Sequence, residues 1–364
     1  MPTTTTTLSN QYQNYFSKKL LSYAVQALVM DQFAQKAPLP ARAGHKAITM
    51  FRYGAPSTSD IEALGEGVAP SGTRNLSLSK IEKSLSQRGQ VIKLTDILTA
   101  TDLFNSLQQS IKTNGQDAAL DMDTITRNTI VGSNVAGDAM EGTFADYELD
   151  NLDELVELYA DGTKETWASG DGDAEYKTFE AVTGSTTLLN AAAVLNAVTQ
   201  LKVNRAQPAK GGMYVAAASP QVISDVMTDT TWVNAAQYSN VQDLYKGEVG
   251  SLYGAKFIMT TNPFITGDSL GNDGDRFKYD ASGGGGTAAT NDIHATIFLG
   301  SEAYGCPDLS SQSPFSPKVE IVDTADKSDP LNQLTTCSFK TYWTALRLNP
   351  AYYLIMRSKT ASTA

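Results

Sequence analysis

At 364 residues the chain is long enough to bury a sizeable core, either as two modest domains or as one extended molecule with appendages. Acidic residues outnumber basic ones by 39 to 28, for a formal net charge of -11, and no dense Lys/Arg cluster is present, which disfavours tight, direct nucleic-acid binding. No apolar run reaches the roughly 18 residues that span a bilayer, and the N-terminus lacks the basic and apolar regions of a secretory signal, so we expect a soluble chain made in a cytoplasm.

The N-terminal part of the chain predicts an amphipathic helix followed by an extended arm. Its apolar positions recur at spacings of three and four, at Tyr12, Phe16, Leu20, Tyr23, Ala27 and Met30. The prolines in 37–41 (APLPA) end this helix, because proline lacks an amide donor and favours extended geometry before it. The apolar stripe is compatible with docking on the chain's own core and with docking on a neighbouring subunit.

A long two-stranded excursion comes next. Residues 46–53 predict a strand, 54–72 are rich in Gly, Pro, Ser and Thr, and extended character returns over 75–94. Most of the excursion is polar, and a hairpin this long and polar is not stable alone. We therefore expect it to lie on another surface.

The clearest predicted helix follows. Apolar or small residues step along it by three and four, at Phe104, Leu107, Ile111, Gly115, Ala118, Met122, Ile125 and Thr129. About seven turns result, or roughly 40 Å at about 1.5 Å per residue. Such a length suits a spine helix or a coiled coil, and the apolar repeat is too short to assign a coiled coil.

The remaining sequence predicts a compact α+β domain interrupted by an acidic segment. Residues 143–181 resemble an insertion, with one short amphipathic helix around Leu152, Leu155, Val156 and Tyr159. Beyond it we predict helices over 187–203 and 220–227, the second opened by proline, and a flexible Gly-rich loop over 267–291. Strands or extended stretches are predicted over 213–218, 255–261, 294–299, 318–323, 334–347 and 352–357.

The sequence offers few candidates for catalytic residues. The only histidines, His45 and His294, stand in no HExxH or nucleophile pattern, and we interpret both as structural. No GxSxG elbow, phosphate loop or GxGxxG fingerprint occurs, since Gly247, Gly250 and Gly254 have the wrong spacing and precede a strand. The glycine run 283–286 reads as linker.

Metal ligands are also not indicated. The loops 170–173 (GDGD) and 272–275 (NDGD) are similar to calcium-binding loops but lack the later ligands, so we interpret them as solvated turns. Acidic residues between Asp146 and Glu157 read as the exposed face of the short helix rather than a catalytic pair. Cys306 and Cys337 form no CxxC pair, and we predict reduced, buried thiols. No catalytic, cofactor-binding or metal-binding residue is therefore predicted, and no cofactor.

Four segments near the C-terminus carry recognisable motifs: 246–263 (KGEVGSLYGAKFIMTTNP), 297–304 (IFLGSEAY), 328–333 (SDPLNQ) and 338–345 (SFKTYWTA). Together they resemble the major capsid proteins of tailed bacteriophages, in particular the podovirus-type, N-four-like family. In that family the first segment is a turn-helix-strand unit. The resemblance covers about the last 120 residues, whereas the first 130 or so agree in architecture. The insertion 143–181 departs from the family pattern.

The resemblance implies an α+β chain with the HK-ninety-seven capsid fold. Its parts would be an N-terminal arm (1–45), an extended β-hairpin loop (46–95), a peripheral domain with the spine helix (96–132 and 311–351) and an axial domain (133–310 and 352–364) that contains the acidic insertion. A polar hairpin that cannot stand alone fits this plan if it lies across a neighbouring subunit. The Lys, Asn and acidic residues that some relatives use for covalent cross-links are all present.

The same resemblance implies a structural, non-catalytic function. The chain would self-assemble into pentamers and hexamers of an icosahedral head shell that encloses double-stranded DNA without sequence-specific binding. Scaffolding, portal and decoration proteins would be its partners, and it would be assembled in the host bacterial cytoplasm and end in the virion capsid. Net negative charge fits, because adhesion to phosphates would oppose packaging. An encapsulin-like compartment shell and an uncharacterised soluble enzyme are the alternatives.

Overall fold

The computed structural model describes residues 29–38, 46–53, 61, 66–67, 78–101, 106–131, 156–159, 164–166, 188–229, 248–266, 293–309, 317–322, 331, 333–358 and 360. Its α-helices are α1 (Asp96–Thr101), α2 (Ser106–Val131), α3 (Ala191–Val203) and α4 (Pro220–Thr228). Its strands are β1 (Gln35–Ala37), β2 (Ala47–Tyr53), β3 (Leu78–Ser84), β4 (Ser86–Thr95), β5 (Val156–Tyr159), β6 (Lys164–Thr166), β7 (Tyr214–Ala218), β8 (Glu248–Leu252), β9 (Ala255–Met259), β10 (Phe264–Thr266), β11 (Ile293–Leu299), β12 (Tyr304–Pro307), β13 (Lys318–Val322), β14 (Leu334–Trp343), β15 (Leu346–Arg347) and β16 (Tyr353–Ser358). Short 3-10 turns are Met30–Phe33, Lys210–Gly212 and Pro350–Tyr352.

Helix α2 is the predicted spine helix. It has 26 residues, which corresponds to about 39 Å. Its buried side contains most of the predicted stripe, including Ile111, Gly115, Ala118 and Met122. The helical periodicity of the sequence is therefore confirmed over this segment.

An antiparallel sheet in the order β13-β14-β4 packs on the spine helix. Strand β14 pairs with β4 along ten residues, from Leu334 opposite Thr95 to Trp343 opposite Ser86. Alternate residues of β14 are buried, so one face of this sheet joins the core around α2 and the other faces solvent. The second strand of the predicted excursion is thus built into a sheet at its C-terminal end.

A larger central sheet has the order β6-β5-β16-β11-β7-β9-β8, with β10 beside β11. Its middle strands are buried on both faces, and this explains continuous apolar runs such as Tyr214–Ala218. One face meets the spine-helix core, and the other is covered by α3 and α4. Phe257 and Phe298 meet edge to face on that second side, with ring centroids 6.2 Å apart.

The ends of the two covering helices follow from local capping. Asn190 accepts a hydrogen bond from the amide of Ala193 at 2.9 Å, so α3 begins at residue 191 and not at the predicted 187. Ser219 accepts one from the amide of Val222 at 3.2 Å, and Pro220 occupies the first helical position as predicted. Both caps hold the helices over the same sheet face.

Two predicted helices are wrong. Residues Val156–Tyr159 form a strand. Its last three residues pair in parallel with Ile355–Arg357 of β16, and it also pairs with β6, so strand pairing overrides the helical spacing. The motif at 248–259 is a β-hairpin rather than a turn, helix and strand. Tyr253 and Gly254 have φ of 52° and 88°, and two consecutive left-handed residues reverse the chain in a tight hairpin turn.

A small third sheet, β1-β12-β15, lies beside the base of the β2–β3 hairpin. A Cβ at Gly305 of β12 would overlap the Met50 side chain, so only glycine fits there. The apolar cluster at this joint consists of Ala37, Ile48, Met50, Leu85, Leu346 and Leu348. The hairpin base therefore packs on its own subunit, which the sequence interpretation did not provide for.

The other predicted strands at 46–53, 213–218, 255–261, 294–299, 318–323, 334–347 and 352–357 are confirmed within a few residues. The N-terminal helix predicted over 12–30 and the Gly-rich loop 267–291 lie outside the described residues, apart from the 3-10 turn at Met30–Phe33. Among the described residues, no helix is both long and apolar enough to cross a membrane.

Candidate interaction surface

The two faces of the β2–β3 hairpin differ in burial. Residues directly opposite each other in an antiparallel pair share a face, so Met50 with Ile81 and Tyr53 with Leu78 lie on opposite faces. Met50 is 6% exposed, whereas Tyr53 is 63% and Leu78 is 53% exposed. Phe51, opposite Lys80, is 56% exposed on the same side as Tyr53. We call Phe51, Tyr53 and Leu78 the outer apolar patch.

Polar contacts on that side lie nearer the hairpin base. The Lys80 Nζ is 2.7 Å from Glu82 Oε2, and the Thr49 hydroxyl donates to Glu82 Oε1 at 3.4 Å. An exposed ion pair of this kind contributes about 0–1 kcal/mol. These contacts leave the outer apolar patch in solvent, which is typical of a surface that another chain covers.

The solvent face of the β13-β14-β4 sheet is a second candidate surface. Lys318 and Lys340 lie directly opposite each other on it, and Lys93 belongs to the same face. Like charges in directly opposite positions are destabilising. Val91 and Val322, 56% and 45% exposed, stand among these lysines. Glu320 is the one carboxylate among the described residues of this face, so the lysines outnumber it and the face suits a partner surface with acidic and apolar groups.

Asp123 of the spine helix is a buried carboxylate at the attachment of the N-terminal segment. It is 3% exposed, and its Oδ1 accepts hydrogen bonds from the amides of Val29 at 3.2 Å and Met30 at 2.9 Å. The hydroxyl of buried Tyr304 donates to the carbonyl of Met30. One turn of chain is thus held by α2 on one side and by β12 on the other.

Arg127 fastens another segment to the same helix. Its Nη1 donates to Asn262 Oδ1 at 2.6 Å and to the carbonyl of Pro263 at 2.9 Å. The side-chain amide of Asn262 in turn donates to the Thr124 hydroxyl at 2.9 Å. The TTNP end of the first capsid-like motif therefore ties the central sheet to the spine helix.

Both thiols are free and buried, as predicted. Burial, with the nearby Asp31 carboxylate, raises the pKa of the Cys306 thiol to about 12. Burial also raises the pKa of the Cys337 thiol, although Asn114 donates a hydrogen bond to its sulfur at 3.5 Å. Thiols held in this protonated state are inert, so they act as core residues.

Burial raises the pKa of the Asp123 carboxyl above its ordinary 3.8, against the opposing effects of the Met30 and Val29 amides, Asn262 and Arg127. The folded state therefore binds this proton more tightly than the unfolded state does. The stability that the protonated Asp123 carboxyl contributes is present below pH 3.8 and is lost as pH rises through the folded-state pKa. We expect the free energy of unfolding of the parent, minus that of Asp123→Asn, to fall with rising pH over this window. Urea unfolding at stepped pH measures it, and a flat or rising difference would contradict the assignment.

Those candidate residues for chemistry that the structure describes lie in separate elements. His294 is buried in β11, and Gly250 and Gly254 belong to the β8–β9 hairpin. Glu157 lies in β5, so the helical face expected for it is absent. His45, Gly247, the loops 170–173 and 272–275 and the run 283–286 lie outside the described residues. Among the residues that the structure does describe, no group of three His, Cys, Asp or Glu could hold a metal ion.

No family model and no curated protein matches the sequence. Solved structures are similar in fold. The capsid of Ralstonia phage GP4 matches with a TM-score of 0.58 and 11% identity, over 91% of this chain and 88% of that one. The capsid of cyanophage P-SCSP1u matches at 0.53 with 14% identity over 89% and 87%, and that of cyanophage Pam1 at 0.53 with 15% identity over 88% and 87%. The chain therefore has the mixed helix-and-sheet fold of these phage capsid subunits.

Proposed function

We propose that this chain is the major capsid protein of a tailed bacteriophage, a structural subunit rather than an enzyme. The observation that carries the proposal is the fold shared with phage capsid subunits over nearly the whole of each chain. The motifs at 246–263, 328–333 and 338–345 resemble those of the podovirus-type, N-four-like family, which implies the HK-ninety-seven fold, although 248–259 forms a hairpin where the resemblance implied a turn, helix and strand. Its localisation would be the virion capsid, after assembly in the host cytoplasm.

The two exposed surfaces support a role in contacts between copies. The outer apolar patch contributes hydrophobic stabilisation only when a neighbouring copy buries it. The lysine-bearing sheet face favours an acidic neighbour. In this proposal the hairpin within 46–95 reaches a neighbouring subunit, and the arm 1–45 makes a second tie. The segments 96–132 with 311–351, and 133–310 with 352–364, form the peripheral and axial domains.

Assembly would place copies in pentamers and hexamers of a closed icosahedral shell around double-stranded DNA. Ring contacts of one type close when curvature accumulates over many subunits. The net charge of -11 suits an enclosed duplex that must enter and leave without adhesion. Scaffolding, portal and decoration proteins are the further partners in this proposal.

The proposal is tested with the purified chain by size-exclusion chromatography and negative-stain microscopy. Uniform closed particles are the expected result, because a shell subunit carries its own contacts. Production together with a portal and a packaging motor should give particles that protect duplex DNA from nuclease. A species of 39.0 kDa that stays single at high concentration would overturn the proposal.

A further inference from the structure

The N-terminal strap, residues 29–38, runs from the spine helix to the joint at the hairpin base. At its first end the amides of Val29 and Met30 bind the Asp123 carboxylate on the spine helix, and the Met30 side chain is buried in the main core. At its other end strand β1 pairs in parallel with β12, and Asp308 donates its amide to the Ala37 carbonyl at 2.7 Å.

The second end of the strap supports the hairpin. Ala37 is 2% exposed and belongs to the cluster that contains Ile48 and Met50 of β2. Strand β1 is an edge of the small sheet, with only three residues and one partner strand among the described residues. So short an edge strand is marginal alone, and its position depends on what holds the chain on either side.

We propose that Asp123 is a positioning residue for the hairpin: by holding the strap at Val29 and Met30, it keeps Ala37 in the cluster that supports the hairpin base. Loss of the carboxylate frees two amides, the first end of the strap is then held only by the Met30 side chain and the Tyr304 hydroxyl, and β1 loosens. The hairpin base then loses one wall of its cluster. The inference rests on the proposed function only in the role given to the hairpin, since the coupling belongs to a single subunit.

Hydrogen exchange measured by mass spectrometry on unassembled subunit tests this coupling. In Asp123→Ala we expect amides of the strap and of the hairpin base, residues 46–53 and 78–85, to exchange at least about tenfold faster. Helix α3 serves as internal reference and should not change. Asp123→Asn retains an accepting oxygen and should restore most of the protection, whereas Asp117→Ala, on the same helix, is a control that should match the parent.

A strap that loosens while the hairpin base keeps its protection would overturn the proposal, as would Asp123→Asn exchanging as fast as Asp123→Ala. Should Asp123→Ala fail to fold, Tyr304→Phe removes only the hydroxyl that binds the Met30 carbonyl. The same pattern at smaller size is then expected, and an unchanged hairpin base would again overturn it. These measurements need no shell, so a failure of assembly is distinguishable from a failure of this coupling.

Discussion

The triple variant Phe51→Thr, Tyr53→Thr and Leu78→Thr is expected to fold as the parent does and to form no shells. All three side chains are more than half exposed, so each change should alter the free energy of unfolding by about 0.5 kcal/mol or less, and threonine retains β-propensity. At an interface, aromatic residues of this kind contribute about 2 kcal/mol each, or roughly 30-fold in association. Particle yield by sedimentation and melting of the subunit measure the two effects separately.

Lys80→Gln is the matched control for this variant. Lys80 lies opposite Phe51 on the same side of the hairpin, and the change removes its ion pair with Glu82 while leaving the outer apolar patch intact. We expect it to assemble, with at most a small change in salt dependence. Normal shells from the triple variant would show that the patch makes no contact between subunits, and an unfolded triple variant would place those side chains in the fold.

Local patterns in the sequence were sufficient where burial follows a simple period. Helix α2 could be predicted because Ile111, Ala118 and Met122 recur at helical spacing, and α4 because Pro220 opens it. Strand β7 is an apolar run short enough to be a strand and is buried on both faces. In these elements the local pattern and the tertiary packing agree.

The segments predicted wrongly form paired strands that the spacing of their apolar residues does not reveal. The apolar spacing around Val156 fits a helix as well as a strand, and strand pairing decides between them. Strand β5 pairs with nearby β6 and also with β16, some 200 residues later. The β8–β9 hairpin depends on left-handed backbone at Tyr253, a residue type that rarely adopts it. The helical spacing of apolar residues carries neither signal.

The interaction surface and its support were missed for related reasons. The alternation of side chains along β2 indicates that the strand has two faces. Only the packing of Met50 against Gly305 shows which of the two faces is left exposed to solvent. Asp123 reads as an ordinary polar position in a helix, because its partners are backbone amides 93 and 94 residues away. Such a site can be found only when the fold is known.

The joint between the spine helix and the β13-β14-β4 sheet carries the second large prediction. Trp343 is fully buried at the end of β14, and its indole N–H donates to the Thr126 hydroxyl at 3.2 Å. The same hydroxyl donates to the Met122 carbonyl at 2.8 Å and lies 3.8 Å from the Cys306 sulfur. The Trp343 side chain therefore fills the space where β14, the spine helix and the small sheet meet.

Trp343→Ala is expected to lower the free energy of unfolding by about 3–5 kcal/mol, because the cavity it leaves is walled by backbone elements that cannot collapse independently. Trp343→Phe keeps most of the volume and loses the hydrogen bond to Thr126, so its cost should be about 1–2 kcal/mol. Lys340→Ala, on the solvent face of the same strand, is the control and should cost less than about 1 kcal/mol. Urea unfolding with an unchanged slope measures all three. A Trp343→Ala subunit no less stable than the Lys340→Ala control would show that the sheet is held to the spine helix elsewhere, with the hydrogen bond from Asn114 to the Cys337 carbonyl and the buried Phe339 as the remaining ties.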